Sequence, residues 1–169
     1  MATATINYST NTSITIGLAT TPLASSSTFV AGRESNEIDN TTNKYVDAIV
    51  QGKVTVGTSP TANTTICVYV WGADTSLATT ALDVLDGTDS DETLTNTGVL
   101  NALRLGAVIS VPATTSNVTY PVLPFSVAAL FGQMPKYWGL YVSHNTGVAL
   151  NSTAGNHSFS YNGIKFDSA

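Results

Sequence analysis

The sequence predicts an all-β protein, a sandwich or barrel of short strands. Three observations carry this. Two segments alternate apolar and polar residues with a period of two, "YVDAIVQGKVTV" from Tyr45 and "NALRLGAVISV" from Asn101. Clusters of Gly, Asn, Ser and Pro such as "GTSPTANT" and "PATTSN" separate the β-prone stretches at short intervals. The helical signal is one turn, "VAALFG", with Ser126 placed to cap it and Gly132 to end it, so a short helix is expected near residues 126–131.

Residues 1–43 are polar, are broken by "TTPLASSS" and hold only the β-prone pieces "SITIGLA" and "STFVAG". They are expected to form a polar N-terminal arm with one or two marginal strands, leaving residues 44–169 as the β domain. In the first periodic segment Val46, Ala48, Val50, Val54 and Val56 form the apolar set. The turn formers of residues 57–64 then lead into "TICVYVWGA", and the two strands are expected to pair as a hairpin with a long loop. Between Asp74 and Leu100 the periodicity fades, and Asp83 to Glu92 holds five of the eleven acidic residues. Alternation resumes through Leu103, Leu105, Ala107, Ile109 and Val111. Two prolines in "VTYPVLPF" limit ladder hydrogen bonding, which suits an edge strand or a bulged corner. In "WGLYVSH", Trp138, Leu140, Val142 and His144 share one face, Tyr141 and Ser143 take the other, and Asn145 to Gly147 are expected to turn the strand back into "VAL".

Composition narrows the function. A chain of 169 residues fits one domain, since that length buries roughly 70% of its unfolded surface around a single core. Charged residues are 10% of the chain, far below the roughly 25% typical of soluble domains, so its surface polarity must come from hydroxyls and amides. A net charge of −5 with six Lys and Arg argues against nucleic acid as a partner, because phosphate binding needs clustered cations. The start of the chain has no basic and apolar leader, and no run of 18 apolar residues occurs, so neither a secretory signal nor a membrane partner is expected. Seven N-x-[ST] triplets then reflect only the richness in Asn, Ser and Thr.

Candidate chemistry is sparse. Cys67 lies inside the apolar run "TTICVYVW", where a buried, inert thiol is expected. His144 is read as a structural imidazole at the rim of a buried face; it lacks a G-x-S-x-G partner, and pairing it with His157 leaves a zinc site short of ligands. Asp86, Asp89 and Asp91 supply hard oxygens in a glycine-containing loop, the chemistry calcium takes, but Gly87 follows Asp86 directly and breaks the EF-hand order. A solvated acidic loop without metal or other cofactor is expected there. Glu34, Glu37 and Asp39 lie near Arg33 in "GRESNEIDN", a polar segment with no apolar neighbours to raise a carboxyl pKa, so a local ion-pair and turn network is expected. Trp71, Tyr137, Trp138 and Tyr141 are the candidate binding or interface residues, of types suited to a sugar-stacking platform and equally to a core or subunit contact.

The succession "AGRESNEIDNTTNKYVDAIVQGKVTVGTSPT", "VYVWGAD", "LDGTDS", "YPVLPFSVAALFG", "MPKYWGLYVSHNTGVAL" and "YNGI" resembles a group of phage and prophage proteins encoded among virion structural genes, over about residues 31 to 164. The resemblance implies an antiparallel β-sandwich, jelly-roll-like, that decorates or cements a capsid or belongs to the tail, and it carries no catalytic motif. The expected protein is therefore not an enzyme. It is a capsid decoration or cement protein, made in the bacterial host cytoplasm and located in the virion, with itself as trimer or larger and the major capsid protein as partners. The alternative is a carbohydrate-binding domain of a phage tail or fibre protein.

Overall fold

A computed structural model describes residues 3–168. The strands are β1 (Ala4–Tyr8), β2 (Thr12–Ile14), β3 (Ala31–Glu34), β4 (Ile38–Asp39), β5 (Asp47–Thr55), β6 (Thr64–Ala73), β7 (Asp91–Thr93), β8 (Arg104–Val111), β9 (Thr119–Ser126), β10 (Tyr137–His144) and β11 (Ser158–Ser168). Two short helices, α1 (Thr97–Ala102) and α2 (Val127–Phe131), complete the fold. One sheet runs β1-β11-β5-β9 with β2 also on β11; the other runs β7-β3-β10-β6-β8 with β4 also on β10. Every pairing is antiparallel, and β1 with β11, β3 with β10, β5 with β9 and β6 with β8 are successive rungs of one long hairpin. Rolling that hairpin up brings β11 onto β5 and β10 onto β6, which closes the two sheets into a jelly roll.

The period of two explains the core. Val50 and Val54 of β5, Ile66, Val68 and Val70 of β6, Trp138, Leu140 and Val142 of β10, and Phe159 and Tyr161 of β11 point between the sheets and are buried together. A second cluster, including Trp71, Leu77, Leu85, Leu94 and Tyr141, lies on the outer face of the β6–β10 sheet, under residues 74–103. Strands β6 and β10 are thus covered on both faces, which is why "TTICVYVW" and "KYWGLYVSH" read as nearly continuous apolar runs. Helix α2 forms as expected: Ser126 Oγ accepts from the Ala129 N–H, and Gly132 ends it at φ 78°. Strand β9, with its two prolines, is an edge strand.

Several expectations change. The segment before Tyr45 holds four strands, not one or two: β1 and β2 pair with β11, β3 and β4 with β10, and Leu18, Leu23, Arg33 and Glu34 within it are buried. Its strands are short and polar because they are held by long-range pairing, which local pattern does not report. Strands β5 and β6 do not form a hairpin; they lie in different sheets, and the turn formers between them carry the chain across the sandwich. Turn residues specify a reversal, not whether it stays within one sheet. The chain after Asn145 to Gly147 likewise crosses to the other sheet, and "VAL" is not a strand; the Leu150 N–H donates to the Leu23 carbonyl instead. Val46 is exposed: it lies just before β5, where its N–H still donates to the Ile164 carbonyl but its side chain falls outside the core. Helix α1 was not expected; Asn96 caps it by accepting from the Gly98 and Val99 N–H groups.

Candidate functional site

The two acidic stretches of the sequence meet. Arg33 Nε donates to Asp89 Oδ1 at 2.7 Å and Nη1 to Asp91 Oδ1 at 3.1 Å, while the Gly17 N–H also donates to Asp89. Neighbouring side chains clamp the same loop. Glu34 accepts from the Asp86 and Gly87 N–H groups at 3.0 Å each, Asn36 from the Asp89 N–H, and Glu37 from Ser76 Oγ and the Leu77 N–H. Glu34 is fully buried, and burial pushes its carboxyl up to about 8, partly offset by the two N–H donors, with the nearby Asp86 and Glu92 adding to the rise. This corrects the expectation of no apolar cover: the segment folds under residues 74–94, whose leucines are distant in sequence. The acidic loop is solvated at Asp86 and Asp91, which are exposed, and covered at Asp89. Asp89 and Asp91 share one counter-charge, Arg33, Asp86 Oδ1 accepts from the Thr88 N–H, and no group of three or more metal-ligating side chains forms among the described residues. Chemically this seam fastens the β6–β8 connection over the sheet.

The aromatic candidates are mostly interior. Trp71, Trp138 and Tyr141 are buried, and Tyr137 is half-buried. Trp138 meets Tyr161 edge-on at 5.3 Å, Tyr141 donates its hydroxyl to the Val30 carbonyl, and the Trp71 ring lies so close to Gly139 that a Cβ there would sit 2.5 Å from it. A sugar platform built on Trp71 and Trp138 therefore has no exposed face. Cys67 is buried, and burial pushes its thiol up.

His144 is not at a rim. It is fully buried, its Nε2–H donates to the Leu23 carbonyl at 3.0 Å, and Nδ1 lies 2.9 Å from Thr146 Oγ1. Burial lowers its pKa and holds the ring neutral. His157 is similarly engaged: Nε2 meets the Asn151 carbonyl at 2.8 Å and Nδ1 accepts from the Thr55 N–H. With their ring nitrogens committed to the protein, the two histidines have no lone pair to share with a metal.

What the sequence reading missed is the surface. The exposed large apolar side chains fall at two places: Ile6, Tyr8 and Phe166, with Val46 at their base, and Leu105, Val108 and Leu123 at the opposite end of the strand order. The first group lies on the β1–β11 ribbon, where Ile6 pairs across with Phe166 and Tyr8 with Ile164. In the second, Val108 and Leu123 border a groove of about 390 Å³ between β8 and β9, lined also by Ile109 and Phe125. A signal was present at Leu123, which follows the inward Val122 and must therefore face outward. Comparison with family models, with curated proteins and with solved structures gives no match.

Proposed function

We propose that this is a non-enzymatic virion structural protein of a bacteriophage, most simply a capsid decoration or cement protein working in many copies against the major capsid protein. The observation that carries the reading is the confinement of exposed large apolar side chains to two edges of a charge-poor jelly roll. Such patches are the usual sign of protein contact, and multiplied copies turn individually modest contacts into persistent ones. The resemblance to proteins encoded among virion genes supports the same reading, as does a scaffold used by capsid and lectin domains alike. The charged seam and the buried histidines serve the fold, so nothing in them competes with a mechanical role. The test is to add purified protein to particles that lack it. Saturable binding that raises the temperature at which the particle releases its genome is expected; failure to bind any head or tail structure sinks the proposal.

A further inference from the structure

The ribbon and the groove are both exposed and apolar, one projecting and the other recessed. Strand β5 accompanies β11 only as far as the Asp47–Ile164 pair, so Lys165 to Ser168 have β1 as their sole strand partner and the ribbon extends past the sandwich. A two-stranded ribbon is marginal in water on its own, and its apolar face is open: Ile6 and Phe166 are each 60% exposed. The groove stands at the other edge of the same sheet, rimmed by Val108 and by Leu123, which is 73% exposed. Pro121 and Pro124 remove N–H donors from β9, so the groove is suited to side chains and poorly suited to templating an added strand. No charged residue lines the groove, and on the ribbon Lys165 and Asp167 pair with each other at 3.2 Å, so the two surfaces meet as apolar against apolar.

We infer that the β1–β11 ribbon of one copy seats in the β8–β9 groove of the next, a head-to-tail contact between copies of this chain. The occupant is a second copy because the ribbon projects apolar side chains, the groove is an apolar recess, and both lie on one molecule. The area is adequate: Ile6, Tyr8, Val46 and Phe166 of the ribbon with Val108 and Leu123 of the groove, at about 100 Å² each, present together about 600 Å², near the apolar share of an interface at the lower end of the standard range. Repeating such a contact closes a ring or extends a chain, according to the rotation between neighbours. The inference rests on the reading of the protein as one that works in many copies.

Two variants decide it by complementation. Ile6→Asp disables the ribbon and Leu123→Asp the groove; Phe166→Ser serves as a second ribbon variant should Ile6→Asp melt early. Sedimentation at high micromolar concentration should show an oligomer for the wild-type protein and the monomer mass for either variant alone. An equimolar mixture of a ribbon variant and the groove variant should form a one-to-one heterodimer, because one intact ribbon and one intact groove remain. A monomeric wild-type protein, variants that keep the oligomer mass, or a mixture that stays monomeric each overturn the contact. Particle binding by the wild-type protein is scored separately: binding with a failed mixing test sinks this contact and leaves the virion reading standing, and the converse result does the reverse. Particle binding by a monomeric wild-type protein that is lost in Leu123→Asp assigns the groove to the capsid protein.

Discussion

Glu34 makes the protein's stability depend on pH in a direction opposite to that of an ordinary carboxylate. Its ordinary value is 4.5 and its buried value about 8, so between these the folded protein holds a proton that the unfolded chain releases. The stability this provides is complete below pH 4.5, falls as pH rises through the window, and is gone above about 8. At about 1.4 kcal/mol per pH unit the span corresponds to at most about 3 to 5 kcal/mol, or on the order of 10 °C in melting temperature for a chain of this size. The two buried histidines act in the other sense, since burial holds them neutral and favours the fold as pH rises toward 6.5. Comparison with Glu34→Gln removes that complication. With an amide nitrogen facing one of the Asp86 and Gly87 N–H groups, the variant starts about 1 to 3 kcal/mol below the wild-type protein at pH 5, and it has no proton to release as pH rises. Melting temperatures of both proteins should therefore converge as pH rises from 5 to 8.5. Parallel curves would refute the reasoning, and curves that diverge would show that the two N–H donors outweigh burial and keep the carboxylate ionised.

Trp138→Ala should cost about 3 to 5 kcal/mol in urea titration, since it empties a fully buried site against Tyr161; a loss below about 1 kcal/mol would place the ring outside the core. His144→Gln should cost roughly 1 to 3 kcal/mol, because Gln can replace the bond to the Leu23 carbonyl or the one to Thr146 but not both; an unchanged melting temperature would contradict the buried geometry. Chelators should leave the melting temperature unchanged, since Arg33 already occupies a carboxylate oxygen of both Asp89 and Asp91; a drop above about 5 °C would mean the loop holds a metal. Arg33→Met should lower stability by about 2 to 4 kcal/mol by stranding Asp89 in a partly buried setting, and hydrogen exchange should show the loss at residues 86–93 first.

The strands were legible where one face meets the core and the other meets something less apolar. Val50, Val54, Ile109 and Val111 announce themselves by period alone, whereas Leu105 of the same alternation is exposed and Leu103 joins the second cluster, because the register of β8 against β6 shifts between Ala107 and Leu105. Strands β6 and β10 were legible as strands but not as strands covered on both sides, because a continuous apolar run does not say which element supplies the second cover. That cover comes from residues 74–103, whose leucines have no period of their own because the segment is draped over a sheet and not built into one. The same gap explains Trp71 and Tyr141, which pattern marks as prominent aromatics and packing places inside.

The charged seam was illegible for a different reason. Arg33 and Glu34 read as a self-contained polar turn, and Asp89 and Asp91 as a free acidic loop, since each is locally hydrophilic and some fifty residues separate them. Only the pairing of β3 with β7 brings them together, and that pairing is a consequence of the rolled hairpin. Once they meet, charges that looked like candidates for an external ion become partners of one another. The chain is poor in charge, and in this seam it spends charge on closing its own fold. The large apolar side chains that stay exposed lie on a ribbon at one edge and beside a groove at the other, both placed by the same strand order that hides the aromatics.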